Sequence, residues 1–170
     1  ISRIEWTLAD FQLTRNSISK EIDSLARRLN GKAAISFSDE LPRVAIFASK
    51  QSHCLLDLLW RVKSGEMPMV IPLIISNHDD MRPIADNYGI EFACVPVNNE
   101  AKHESELVMN DLLAKYKIDL GVLAKYMQIL SSDFLSTSPQ LINIHHSFLP
   151  AFKGARPYHQ AWSRGVKLIG

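Results

Sequence analysis

Neither sign of charge dominates this chain: 19 Lys and Arg stand against 18 Asp and Glu, a formal net charge of +1. Without a basic surplus there is little to neutralise a run of phosphates, which argues against nucleic acid as the main partner. Long hydrophobic runs are missing as well. The longest apolar stretches, such as Val70-Ile71-Pro72-Leu73-Ile74-Ile75, fall far short of the ~20 residues that cross a bilayer, so no membrane partner is expected. Cysteine is scarce. Cys54 and Cys94 lie far apart in no metal-binding spacing, which fits the reduced thiols of a cytoplasmic protein. There is no His-Glu-x-x-His and no closely spaced cysteine pair, which disfavours a metal-dependent hydrolase, and no metal is expected. The turn Ser49-Lys50-Gln51-Ser52-His53-Cys54 has no glycine, whereas a turn that lets backbone amides approach a phosphate is glycine-rich. The opening residues, Ile1-Ser2-Arg3-Ile4-Glu5-Trp6, carry no signal-peptide pattern and no initiator Met. The expectation is a chain that begins inside a longer protein.

What is present is an ordinary globular composition, 46% hydrophobic and 22% charged over 170 residues, enough for one full core or one core and part of another. Residues 1–37 read as strand, helix, strand. Ile18, Ile22, Leu25 and Leu29 recur at spacings of three and four, a single stripe to bury. Gly31 follows where a helix C-terminal glycine is expected, and Ala33 to Phe37 reads as a strand. This is too little to bury its own core and looks like half of a small α+β unit. Ser38-Asp39-Glu40-Leu41-Pro42 is polar and ends in proline, the linker signal, so residues 38–42 divide the chain.

From residue 43 to 170 strands and helices alternate. Val44–Ala48, Val70–Ile75, Phe92–Val97, Leu120–Ala124 and Leu141–His145 read as strands. The intervening helices carry Leu55, Leu58, Leu59 and Val62, then a short segment from Asp79 and Asp80 to Gly89, then Glu104 to Tyr116. Apolar strands separated by helices predict an α/β fold, a Rossmann-like parallel sheet covered on both faces. Ligands bind such sheets beyond the carboxyl ends of the strands.

One such end carries Asn143-Ile144-His145-His146-Ser147-Phe148-Leu149-Pro150. Residues two apart on a strand share a face, so Asn143 and His145 would stand side by side. An amide that donates a hydrogen bond beside an imidazole that donates a bond or a proton suits a carbonyl becoming a tetrahedral oxyanion. Taken alone, Asn-x-His is more often a capped strand end with an ordinary core histidine. His146 would face the other way, as a structural or supporting group. At the turn after Val44–Ala48, His53 and Cys54 could in principle form an activated thiol, but adjacent helical residues do not face each other.

With its continuation through Ala151-Phe152-Lys153-Gly154-Ala155-Arg156-Pro157-Tyr158-His159-Gln160-Ala161, the Asn143 segment resembles the signature of the folate-dependent formyltransferase family. It is most similar to the deformylase branch, as is Ser-Lys-x-x-His-Cys-Leu-x-Asp-Leu-Leu at Ser49. The resemblance implies a formyltransferase-type sheet preceded by a partial ACT-like, ferredoxin-like domain over residues 1–37. It implies hydrolysis of 10-formyltetrahydrofolate to formate and tetrahydrofolate, with Asn143 and His145 stabilising the tetrahedral intermediate. It also implies a folate-binding loop at Met127, Gln128, Ile129 and Leu130, although a Met/Ile/Leu cluster is more often core than pocket. His146 and Ser147 become supporting groups. No cofactor is implied, because the folate is the substrate, and the family tends to form homo-oligomers. The family's catalytic aspartate matches no residue up to Gly170, so this segment is expected to lack full activity by itself. Two alternatives remain: an amine formyltransferase of the glycinamide ribonucleotide type, and a non-catalytic folate-binding regulatory protein.

Overall fold

The computed structural model describes residues 3–9, 11–98, 100–144, 152 and 157–167, which divide into two compact units, Ile1–Glu40 and Leu41–Gly170. The first unit holds helix α1, Arg15–Arg28. Thr14 caps its start by accepting the Ser17 N–H at 3.3 Å, and Arg27 and Arg28 in its last turn complement the helix dipole. At the other end the Asn30 N–H reaches the Arg27 carbonyl and the Gly31 N–H reaches the Ala26 carbonyl at 2.8 Å. The left-handed position is therefore Asn30, at φ +52°, and not Gly31 as the spacing suggested. Asn is the side chain that best tolerates this conformation after Gly.

The expected stripe is buried only at its beginning. Ile18 is 3% exposed, but Leu25 is 46% and Leu29 73% exposed, because no described residue of the Ile1–Glu40 unit covers the last turns. Ala33–Phe37 also departs from expectation: it joins no ladder, and no strand occurs among the described residues before Arg43. A strand exists only with a hydrogen-bonded neighbour. Instead, the segment turns back on α1 through Arg15, whose guanidinium lies 4.5 Å from the Phe37 ring centroid and pairs with Asp39 and Glu40.

The second unit is a five-stranded parallel sheet. Its strands are β1 (Arg43–Ala48), β2 (Val70–Ser76), β3 (Glu91–Cys94), β4 (Leu120–Leu123) and β5 (Gln140–Asn143). They lie in the order β3-β2-β1-β4-β5, every pair parallel. Helices α2 (His53–Lys63), α3 (Arg82–Tyr88), α4 (Lys102–Lys115), α5 (Ser132–Thr137) and α6 (Pro157–Ser163) complete the element order, and a single 3₁₀ turn, Asp79–Met81, precedes α3. Alternate residues of β1 serve opposite cores. Ala45 and Phe47 join Leu73, Ile75, Met109, Leu113, Tyr126 and Phe134 on one face. Ile46 and Ala48 join Ile74, Leu55, Leu59 and Ala85 on the other. Both faces are covered, so β1 is buried from Val44 to Ala48 without alternation. Among the described residues no helix is long and apolar enough to cross a membrane.

Two differences from the expected boundaries have clear causes. Pro72 falls inside a paired strand, which its missing N–H would normally forbid. The register steps from Arg43↔Val70 to Ala45↔Leu73, so β2 carries one extra residue there, and this bulge accommodates the proline. β3 stops at Cys94 rather than Val97, because its partner β2 ends at Ser76 and Pro96 has no donor to extend the ladder. β5 ends at Asn143, and His145 lies outside the described residues.

Helices α2 and α3 close on glycines in the left-handed region, Gly65 at φ +79° and Gly89 at φ +65°. Helix α4 closes the same way on Lys117, at φ +50°, whose N–H and that of Ile118 reach the Ala114 and Leu113 carbonyls. A side chain in this conformation is strained. Lys117→Gly is therefore expected to raise stability by about 0.5–1 kcal/mol, after the loss of some unfolded-state restriction. An unchanged or lower urea midpoint would count against this reading of the turn.

Candidate active site

The strand order sets the location of a site. From β1 the chain steps outward to β2 and β3, then crosses to the opposite side of β1 to form β4. The loops leaving β1 and β4 therefore diverge to opposite faces and leave a crevice beyond their carboxyl ends. An open cleft of about 280 Å³ lies there. The turn after β1 contributes Ser49, Lys50 and Gln51; Asn77 and His78 follow β2; Lys125, Met127 and Gln128 follow β4.

Ser49 ties these three loops together. Its Oγ is buried and accepts the Met127 N–H at 3.1 Å, while its own hydrogen goes to Asn77 Oδ1 at 2.7 Å. Lys125 sits at φ +58°, and this turn of the backbone swings the chain out of β4 and across the cleft. Tyr126 then returns to the core. Its ring meets Phe47 edge-on at 5.5 Å, and its hydroxyl faces Met109 Sδ at 3.8 Å. Burial, and secondarily the nearby Glu106 carboxylate, push the Tyr126 phenol well above its ordinary pKa. It stays neutral, a wall of the site and not an acid within it.

The far end of the same loop is also held. Glu106, on α4, is 4% exposed and accepts the Ser131 N–H at 2.8 Å. Its second oxygen bonds the Ser131 hydroxyl, which in turn caps α5 by accepting the Phe134 N–H at 3.1 Å. Lys102 Nζ lies 4.0 Å from the carboxylate. Between these anchors, the backbone N–H and C=O groups of Gln128, Ile129 and Leu130 have no hydrogen-bond partner among the described residues. Met127 is 62% and Ile129 84% exposed.

The residues singled out from the sequence are placed as follows. Met127 and Gln128 line the cleft. Ile129 is displayed to solvent on the same loop, and Leu130 leans on the core. Asn143 closes β5, exposed, in register with Leu123. Since Leu123 in turn pairs with Phe47, Asn143 stands two strands from β1, roughly 10 Å by ordinary strand spacing, and it is not among the described residues lining the cleft. His145, His146 and Ser147 lie outside the described residues. His53 is exposed and Cys54 half-buried at the start of α2, and no hydrogen bond joins them among the described residues. No group of three His, Cys, Asp or Glu able to hold a metal ion occurs among the described residues.

Sequence reasoning missed Asn77, Lys125 and Glu106. Only Glu106 left a signal. It falls on the face of α4 shared by Met109 and Leu113, at spacings of three and four, and all three are buried. A carboxylate in a core stripe marks a group with a specific partner.

Comparison with known proteins agrees with this architecture. The family described as formyl transferase matches residues 42–170. A formyltetrahydrofolate deformylase of Synechocystis sp. is 54% identical over 170 residues, covering 100% of this chain and 60% of the relative. The crystal structure of a formyltetrahydrofolate deformylase from Pseudomonas syringae superposes with a TM-score of 0.85 at 39% identity, over 92% of this chain and 53% of that one. A glycinamide ribonucleotide transformylase from Symbiobacterium toebii is more distant, with a TM-score of 0.67 and 26% identity over 79% of this chain and 66% of its own. This chain thus spans little more than half the length of the two deformylases.

Proposed function

This chain belongs to the formyl transferase family, and from that membership we propose that the protein containing it hydrolyses 10-formyltetrahydrofolate to formate and tetrahydrofolate. The folate half of this reading is carried by one observation: three successive residues, Gln128 to Leu130, offer unpaired backbone groups between the exposed side chains of Met127 and Ile129. A flat heterocycle with hydrogen-bonding edges needs that combination of apolar surface and fixed polar groups.

Deformylation requires attack of water on the formyl carbon, loss of a proton from that water, and cleavage of the C–N bond as the nitrogen takes up a proton. We assign the oxyanion of the tetrahedral intermediate to the Asn143 amide, with His145 donating a hydrogen bond and then the proton. His146 and Ser147 would support that pair. The base would be an aspartate downstream of Gly170, as the resemblance implies. No cofactor beyond the folate is required. The Ile1–Glu40 unit would be part of an ACT-like domain, and the protein a cytoplasmic homo-oligomer.

Acceptor-independent formate release from 10-formyltetrahydrofolate by the full-length protein tests the reaction. Release that vanishes in His145→Ala is the expected result. Release only after addition of an amine acceptor would make the protein a transferase. Tight folate binding with no release, indifferent to His145→Ala, would make it a binding protein. The glycine-free turn at Ser49–Cys54 favours the hydrolase, since a phosphate-bearing amine acceptor needs backbone amides brought close to its phosphate.

A further inference from the structure

We propose that Ser49 and Glu106 are positioning residues that clamp the two ends of the Lys125–Ser131 loop, holding its unpaired backbone edge ready for the heterocycle of the substrate. This rests on the folate reading of the loop given above. The two residues come from separate elements, the turn after β1 and the helix α4, and neither lies in the loop. Ser49 holds one end through the Met127 N–H at 3.1 Å, and its orientation is set by Asn77. Glu106 holds the other through two bonds to Ser131. Both are almost fully buried, Ser49 at 5% and Glu106 at 4% exposure.

The physical case lies in the contrast along the loop. Tyr126 and Leu130 meet the core, but between them a segment that keeps Met127 and Ile129 in water and leaves three residues of backbone unpaired gains little that would hold it in this shape. Left to itself, it would exchange among conformations, and binding would bear the cost of ordering it. Buried polar anchors at each end remove that freedom in advance. A carboxylate with two hydrogen bonds to one residue is a demanding anchor, because its burial is tolerable only while both bonds persist. Near the start of the loop, Tyr126 turns into the core and packs edge-on against Phe47 at 5.5 Å. The arrangement is that of a preformed binding wall.

The test uses the full-length protein and its Ser49→Ala, Glu106→Ala and Glu106→Gln variants. Two readouts are needed: amide hydrogen exchange at Met127 and Ser131, the loop amides that the two residues hold, and the steady-state constants for 10-formyltetrahydrofolate with the Kd for tetrahydrofolate. In Ser49→Ala and Glu106→Ala, exchange in the loop is expected to rise tenfold or more. KM and Kd should rise tenfold or more, while kcat falls less than threefold. Glu106→Gln, which retains an acceptor for the Ser131 N–H, should recover most of the affinity. Unchanged loop exchange in Ser49→Ala overturns the clamp even if Glu106→Ala fails to fold. Faster exchange with unaltered Kd and KM overturns its role in binding. A wild-type protein that binds no tetrahydrofolate defeats the folate reading and the ligand role with it, and the exchange data then decide separately whether the loop is clamped.

Discussion

In the full-length protein, Asn143→Ala is expected to lower the rate of formate release by about 10²–10³-fold, the usual cost of removing one oxyanion donor. The KM for the folate should change little, because the interaction forms only as charge develops on the formyl oxygen. The position makes this a clean substitution. Asn143 is the last residue of β5, exposed, with its side chain in no hydrogen bond among the described residues. Truncating it leaves no buried group unsatisfied and opens no cavity, so the thermal midpoint should stay within a degree or two of wild type. A kcat within threefold of wild type would remove Asn143 from the mechanism. A loss of rate matched by a loss of stability would instead make it a strand-end cap.

Phe47→Ala is expected to destabilise the Leu41–Gly170 unit by about 3–5 kcal/mol, the range for deleting a buried aromatic ring. Phe47 is fully buried in the central strand. Its ring meets Tyr126 at 5.5 Å and Phe134 at 6.4 Å, both edge-on, geometries that add to simple area burial. The sheet has been fitted to this ring. A Cβ placed on Gly121 of β4, which lies in register with Ala45, would come within 3.2 Å of Phe47 Cε2 and 2.4 Å of Leu141 Cδ2. Urea unfolding of wild type and variant measures the effect, and a loss below about 1 kcal/mol would mean that the core collapses into the vacancy. Because Tyr126 rests on Phe47, the variant should also loosen the loop above it, and Phe47→Leu should restore part of both properties.

Much of this fold is legible in the residues themselves. The runs at Val44–Ala48 and Val70–Ile75 are apolar without alternation, which only a strand covered on both faces requires. The leucines of α2 repeat at the helical period. These signals are local: each depends on residues within one or two turns or one strand. The signature at Asn143 is likewise contiguous, and it led to the family that matches residues 42–170. The expected strand at Ala33–Phe37 failed for the opposite reason, since a ladder depends on a partner that no local pattern specifies.

The cleft depends on such distant pairings throughout. Ser49 and Met127 are 78 positions apart, Ser49 and Asn77 are 28 apart, and Glu106 and Ser131 are 25 apart. Apart from Glu106, which shares the buried face of α4 with Met109 and Leu113, each of these polar residues looks unremarkable in its own segment. Strand order brings their loops to one crevice, and burial then turns a serine hydroxyl and a glutamate carboxylate into anchors. Periodicity and motif are properties of neighbours along the chain, so they state which elements form and which family they build. A hydrogen bond between loops is a property of neighbours in space, and it exists only once β4 has crossed to lie beside β1.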